Sequence, residues 1–393
     1  MSEYSYVEKP FLDQLAALDW DVIDQGLGIP QDPAVSHRSS FRDVVLRDDF
    51  LEAVRRINTT DTGQTWLTDH QLDELLGQIT GQPGNSLLAA NEAIQQLLYR
   101  TQVDKNGETG EEYPDVKLID FEHPERNSFL AMNQFRIDTP GTGKEFIIPD
   151  IVLFVNGLPL VVVECKDQNV FTANPMTEAF KQLMRYSDQR QETHDAGLHE
   201  GEARLFHTNQ FVIRTDGDHA EFGSISATEE EYFYPWRDIH PEKYRQYTPP
   251  LGNERPQEVL IQGMLPKETL LDMMRTCTVF MDAGKARIKV VCRYQQYRAT
   301  CKIIERLRTG QTPDDRSGVV WHTQGSGKSL TMVFVIRKLR MCDDLKDFKV
   351  CLINDRRSLE QQLTETAKLT GEKPTVISST EELRQKLSTT SSN

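Results

Sequence analysis

The sequence predicts an α/β chain of two domains: a mixed sheet flanked by helices over 1–255, and a second domain that carries a Gly-rich loop over 256–393. Three observations predict it. Hydrophobic residues keep a helical period through residue 100 and then switch to strand-like alternation. PDIVLFVNGLPLVVVECKD, residues 149–167, sets two apolar β-forming runs around Asn156-Gly157, a hairpin signature. SGVVWHTQGSGKSLTMVFVIRKL, residues 317–339, places a Gly-rich loop between a strand pattern and a helix pattern.

The elements follow in order. In residues 7–22, Phe11, Leu12, Leu15 and Leu18 recur at helical spacing. Pro10 suits a first turn, and Glu8 shares the stripe of Leu12 and Leu15, so it points inward. FLEAVRRIN (50–58), QLDELLGQI (71–79) and NSLLAANEAIQQLLYR (85–100) are expected helices. Residues 116–137 read as strand, and the hairpin follows. Residues 175–190 read as helix, and 205–225 as a second hairpin turning near Asp216-Gly217-Asp218. Four prolines and many polar groups mark 236–258 as a linker. Helices are expected at 267–282 and 293–308, then an αβα pattern with strands at Val319–Trp321 and KVCLI (349–353), and a low-complexity tail STTSSN.

At 393 residues and 38% hydrophobic content the chain can build more than one core. The net charge of -15 does not advertise nucleic-acid binding, although a local basic cleft or a basic partner can supply such contacts. Six cysteines with no CxxC pair fit a reducing compartment and core packing. The N-terminus has no apolar signal region, and the longest apolar stretch, 147–165, is broken by Asp150, Asn156, Gly157 and Pro159. The expectation is a soluble cytoplasmic protein without a membrane span.

The hairpin carries charges. On a strand, residues two apart share a face, so Glu164 and Lys166 project together and Cys165 opposes them. Buried and unpaired, such charges are costly. Asp150 and Glu164 are a pair suited to a hard divalent cation such as Mg²⁺, which can activate water and stabilise a pentavalent phosphate while Lys166 offsets developing charge. The competing reading is an ordinary hairpin whose charges reach solvent. Parity separates the two. A strict two-residue turn pairs Asp150 with Val163, so the metal reading requires a β-bulge or a longer loop. Gln182 and Tyr186 lie four apart on the next helix and share a face.

In the second constellation, Gly325, Ser326 and Gly327 form a loop whose N–H groups can wrap phosphate oxygens. Lys328 reaches the β- and γ-phosphates, and Ser329 ligates Mg²⁺. His322 stands where the full motif has Gly. The helix after the loop is apolar nearly all round, as burial against a sheet requires. Ser358-Leu359-Glu360-Gln361 matches a capping box behind Arg356 and Arg357. Upstream, Arg293 and Gln296 open an expected helix.

Pro149-Asp150 with Glu164-Cys165-Lys166 resembles the PD-(D/E)xK nuclease superfamily, in which Glu8 matches the acidic residue of an early helix and Gln182 and Tyr186 match a QxxxY motif. HTQGSGKS with NDRRSLEQQL resembles a RecA-like superfamily 2 helicase motor, where the second string is motif Ia, which approaches the nucleic-acid backbone. Helicases of this superfamily often use a glutamine before the Gly-rich loop to read adenine, so the resemblance implies Gln296 as the adenine reader, with Arg293 in support. Their order, together with RYQQYRA and residues 203–236, resembles the restriction subunit of type I restriction–modification enzymes along nearly the whole chain. The resemblance implies a type I site-specific deoxyribonuclease using ATP and Mg²⁺ on double-stranded DNA, with methyltransferase and specificity subunits as partners. Specificity read by a partner would also explain the acidic balance. The family's motor continues to a DEAH-type box and a second RecA-like domain. The chain is therefore expected to be an N-terminal fragment that binds ATP weakly and does not translocate DNA. The alternatives are another nuclease–helicase fusion acting in DNA repair, and a non-enzymatic P-loop module with a degenerate nuclease fold.

Overall fold

The computed structural model describes residues 3–60, 62–81, 86–141, 143–168, 174–190, 198–244, 255–354 and 360–388. It is a mixed α/β structure that packs as two compact units, one of residues 1–271 with 287–289 and one of 272–286 with 290–393.

The first unit is built on a seven-stranded sheet. Its strands are β1 (Asp21–Ile23), β2 (Phe129–Asn133), β3 (Ile151–Val155), β4 (Leu158–Cys165), β5 (Phe211–Thr215), β6 (Ala220–Gly223) and β7 (Tyr234–Pro235), and they lie in that order. The β1–β2 and β4–β5 pairs are parallel; β2–β3, β3–β4 and β5–β6 are antiparallel. Every residue of β3 and β4 is buried, as expected of central strands covered on both faces. Asn156 (φ 50°) and Gly157 (φ 73°) form a two-residue turn with both residues in the left-handed region, which matches the twist of the strands. A Cβ on Gly157 would meet Leu46 O at 2.5 Å and Phe50 N at 2.8 Å, so glycine is required there. Asn156 fastens the turn by donating from Nδ2 to Leu118 O and accepting from Ser128 N–H.

The expected irregularity is present. Val155 faces Leu158 and Phe154 faces Pro159, but Leu153 faces Val161, Val152 faces Val162 and Ile151 faces Val163. Leu160 is the extra residue of a β-bulge, and the parity shifts by one beyond it.

The helices arise where the periodicity places them. The chain enters through a π-turn, Tyr4–Glu8, closed by a Lys9 N–H bond to Tyr4 O, and continues as α1 (Lys9–Ala16) with Phe11, Leu12 and Leu15 buried. Then come α2 (Arg47–Ile57), α3 (Asp69–Thr80, with a Thr68–Gln71 capping box) and α4 (Leu87–Tyr99, capped by Ser86). α5 (Pro175–Tyr186) is capped by Asn174 and stops short of the expected residue 190. α6 (Pro256–Met264) belongs to the first unit, where Gln257 Nε2 donates to Val7 O. The expected linker is structured at its start, since Trp236 and Ile239 are buried and Trp236 stacks edge-on against Phe222. Its residues 245–254 lie outside the described ones.

Three expectations in the second unit need correction. The helix expected over 267–282 ends at Thr276, and Thr278–Ala283 is a strand. The β-branched and aromatic side chains of Thr278, Val279 and Phe280 favour extension there. Val319–Trp321 and Lys349–Ile353 form no strand. Val319 and Trp321 are 93% and 82% exposed. A parallel strand exists only through its ladder, and among the described residues no neighbour pairs with either segment. The helices do form. α7 (Tyr294–Thr309) packs on α8 (Lys328–Arg340) and the turn after it, where Ile304, Leu339, Cys342 and Leu345 form one buried cluster. Asp272 accepts from Tyr297 OH at 2.8 Å and pairs with Lys338. The Ser358 capping box, Arg356 and Arg357 lie outside the described residues, as does nearly all of the tail. No described helix is long and apolar enough to cross a membrane.

Candidate active site

The bulge decides which face the hairpin's charges take. Asp150 precedes β3, and Glu164 is the next-to-last residue of β4, one step beyond the Ile151–Val163 pair. Asp150 Oδ2 accepts the Cys165 N–H at 2.7 Å, which ties the start of one strand to the end of the other. Lys166 Nζ lies 2.5 Å from Glu164 Oε1 and 3.6 Å from Asp150 Oδ2. It also donates to Cys165 O at 2.7 Å. The two carboxylates do not reach solvent: Asp150 is 7% and Glu164 0% exposed. That removes the reading of an ordinary hairpin with solvated ends.

Glu8 joins the same centre from the π-turn. It is buried, and its Oε2 accepts from Gln134 Nε2 at 3.1 Å and Asn133 Nδ2 at 3.5 Å. Gln182 and Tyr186 are not a surface pair. Gln182 Nε2 donates to the Tyr186 hydroxyl at 2.8 Å, and that buried hydroxyl donates to Ile148 O at 2.8 Å, two residues before Asp150.

The electrostatics follow from burial. Desolvation raises Asp150 above the usual carboxylate range, against the pull of Lys166. It raises Glu164 well above that range, and Asp150 adds to the effect. Glu8 is pushed up to about 7 by burial and by Asp150. Burial opposes the Lys166 ammonium, but Glu164, Asp150 and Glu3 outweigh it and hold the amine above its ordinary range. The Tyr186 hydroxyl is raised by burial and then by Glu164 and Asp150. One atom is left over. Glu164 Oε2 is buried with no hydrogen-bond donor, beside the Asp150 carboxylate. An orphaned acceptor next to a second buried carboxylate suits a cation, and oxygen donors of this kind suit a hard one. Asp150 and Glu164 therefore fit a divalent metal ion.

Sequence reasoning missed Glu3. Its Oε2 accepts the Asp167 N–H at 3.1 Å and its Oε1 lies 4.0 Å from Lys166 Nζ. It also missed the two amide donors to Glu8. Nothing in the pattern flags them, because Glu3 is off the α-helical stripe of Glu8.

The second constellation lies in the second unit. Gly325 (φ 78°) and Gly327 (φ 86°) hold the left-handed turns of the loop, and Gly327 caps α8. Lys328 is exposed at the helix start with Ser329 beside it. Ser326 Oγ lies 3.1 Å from His322 Nδ1 and donates to Thr323 O at 2.8 Å. Gln296 is buried, and both ends of its amide are engaged. Oε1 accepts the Arg293 N–H at 2.8 Å, and Nε2 donates to Gly327 O at 3.0 Å. Here it fastens the loop to the start of α7, so adenine reading would require those bonds to exchange. The adjacent Gln295 Oε1 is buried without a donor, a second residue the pattern did not single out as the reader.

Residues 1–231 match the family described as the type I restriction enzyme R protein N terminus. Residues 295–393 match the SWI2/SNF2 ATPase family. Among curated relatives, the chain is 32% identical to the type I restriction enzyme HindI endonuclease subunit of Haemophilus influenzae, over 97% of this chain and 34% of the relative. It is 26% identical to the MjaIXP endonuclease subunit of Methanocaldococcus jannaschii, over 84% and 31%. It is 25% identical to the SsaAORF53P endonuclease subunit of Staphylococcus saprophyticus, over 81% and 30%. The chain spans about a third of the length of the curated relatives it matches.

Proposed function

The chain belongs to the type I restriction enzyme R protein family, matched over residues 1–231, and we propose that it supplies the DNA-cleaving centre and the ATP-binding loop of a type I restriction endonuclease. In this reading residues 1–255 are a PD-(D/E)xK nuclease domain and residues 256–393 the first part of a RecA-like motor domain. The partners are double-stranded DNA, a methyltransferase subunit and a specificity subunit, and the setting is the cytoplasm. The relatives' names lend nothing to the repair-nuclease alternative.

The observation that carries the reading is the burial of Asp150 and Glu164 on one face with an orphaned Glu164 Oε2. Asp150, Glu164 and Glu8 would hold Mg²⁺, and Lys166 would sit at its edge. When bound, the cation supplies charge stabilisation to a pentavalent phosphate and lowers the pKa of water. The chain's own groups do the rest. Asp150 is fixed by the Cys165 N–H, Tyr186 steadies the backbone leading into it, and the Lys166 ammonium is held charged to face phosphate oxygens. In the motor, the Gly325–Gly327 backbone would cradle phosphates, Lys328 would reach the β- and γ-phosphates, and Ser329 would ligate Mg²⁺. Arg293 and Gln296 would shape the nucleotide's edge of that loop.

The test uses the full-length subunit with its methyltransferase and specificity partners, supercoiled plasmid, ATP and Mg²⁺. Lys166→Ala is expected to abolish cutting and leave ATP hydrolysis intact, and Lys328→Ala to abolish both. Undiminished cutting by Lys166→Ala would remove the nuclease assignment.

A further inference from the structure

The first unit holds a cavity of about 840 Å³ at the other end of the hairpin from Asp150 and Glu164. Residues 44, 45 and 47–49 line it, and Leu46 within that segment donates its N–H to Gly157 O at 2.9 Å, at the hairpin turn. The five residues of β3 separate that turn from Asp150, about 17 Å at 3.4 Å per residue. The nuclease centre therefore makes no use of this cavity.

Part of the wall is the start of α2. Its N-cap is Leu46, which has no side-chain acceptor to offer. Among the described residues nothing accepts from the N–H groups of Arg47, Asp48 and Asp49. An uncapped helix start presents free donors and the positive end of the helix dipole.

A second, independent observation points to an anion. Arg38 lines the same cavity and is 6% exposed, with its guanidinium carbon 3.8 Å from the centre of the Phe135 ring. Its Nε donates to Ser36 Oγ and its Nη1 to Asp43 O, both at 2.9 Å, and its Nη2 has no acceptor. Burial pulls the guanidinium down to about 10, which still leaves it charged at neutral pH. A buried cation whose partners are all neutral is costly until an anion compensates it. Arg42, exposed on the same lining, has a guanidinium with no acceptor among the described residues. The lining carboxylates are engaged or turned out. Asp43 accepts from Ser39 Oγ and Ser40 N–H at 3.1 Å each, and Asp49 pairs with His37 at 2.9 Å. The Asp48 side chain is 88% exposed.

The lining also has an apolar part, made by Val44, Val45, Leu76 and Ile79. A cavity of this volume suits a small molecule, and its mixed walls suit one with a phosphate at one end and a ring at the other. A DNA duplex carries its phosphates on the outside of a stiff rod and meets surface cations, whereas Arg38 is recessed.

We propose that this cavity binds a small phosphorylated molecule of nucleotide size, with its phosphate held by the start of α2, Arg38 and Arg42 and its ring against Val44, Val45, Leu76 and Ile79. The site goes beyond the nuclease reading and does not depend on it.

The test is calorimetric titration of the full-length protein with AMP and, separately, with inorganic pyrophosphate. EDTA and a Lys328→Ala background keep bound metal and the Gly-rich loop of the second unit out of the signal. One saturable site per chain is expected. Arg42→Ala is expected to weaken it about tenfold or more, and its fold is secure because the side chain is exposed. Asp48→Asn is expected to tighten binding by about threefold, since it removes a negative charge beside the anion's seat. No saturable binding by the parent protein would overturn the proposal, and so would equal affinities with and without Arg42. Binding of a short DNA duplex that depends on Arg42, with no binding of AMP or pyrophosphate, would overturn it in favour of a DNA contact. None of these results bears on the nuclease reading, which rests on Asp150 and Glu164.

Discussion

Asp150 Oδ2 accepts the backbone N–H of Cys165 at 2.7 Å, so the carboxylate that opens one hairpin strand closes the ladder at the end of the other. The bond places Asp150 and Glu164 together, and it exists because Leu160 is one residue too many for a regular hairpin. Deleting Leu160 restores regular pairing and turns Glu164 away from Asp150. The expected result is a protein that binds no Mn²⁺ at this centre by isothermal titration. Binding retained at wild-type affinity would show that the bulge does not set the face.

The turn beneath the bulge is equally constrained. Gly157→Ala places a Cβ at a φ of 73° and 2.5 Å from Leu46 O. A destabilisation of roughly 2–4 kcal/mol is expected in urea unfolding. A loss under about 0.5 kcal/mol would mean that the turn relaxes freely.

The metal-free centre should be sensitive to pH in a direction set by Glu8. Its carboxyl is pushed up to about 7 by burial and Asp150, against an ordinary value of 4.5. Between those values the folded state holds a proton that the unfolded state releases. Stability contributed by the protonated form is therefore present below pH 4.5 and lost as pH rises through 7, by about 3 kcal/mol. Melting in EDTA across that window should show the decline, and Glu8→Gln should lessen it, leaving the part that the raised Asp150 and Glu164 contribute. Adding Mn²⁺ should reverse the decline, because bound metal displaces the proton. A wild-type profile in EDTA with no decline would contradict the burial account.

Tyr186→Phe removes a buried hydroxyl that donates to Ile148 O and accepts from Gln182. A loss of about 1–3 kcal/mol is expected, with Mn²⁺ binding weakened but not abolished. Complete loss of binding in a folded protein would make Tyr186 a ligand-side group instead of a brace for the backbone before Asp150.

In the second unit, Gln296→Ala frees the Arg293 N–H and Gly327 O at once. Nucleotide affinity of the full-length protein should fall by about tenfold, for adenine and guanine nucleotides alike, if Gln296 acts by holding the loop. A loss confined to adenine nucleotides would make it a base reader.

The first unit was legible because its signals are local. Asn156-Gly157 names its own turn, the helices keep their periods, and the parity of Asp150 and Glu164 demanded a bulge that the structure contains. Glu8 was legible as inward-facing because Leu12 and Leu15 share its stripe. Glu3 was not, since a π-turn has no composition of its own and moves residues off the α-helical period. The strand pattern at Val319–Trp321 misled for a different reason. Alternation says that a segment suits a sheet, while the ladder depends on a partner far away in sequence. The long helix expected over 267–282 failed at Thr276 because Thr278–Phe280 prefer extension.

The measurement that tests the central claim most directly is cleavage of supercoiled plasmid by the full-length subunit, assembled with methyltransferase and specificity subunits in ATP and Mg²⁺, comparing wild type with Asp150→Ala. Loss of cutting with ATP hydrolysis preserved is the predicted result. Cutting at the wild-type rate would contradict it and leave the buried charges of the hairpin without a cation to explain them.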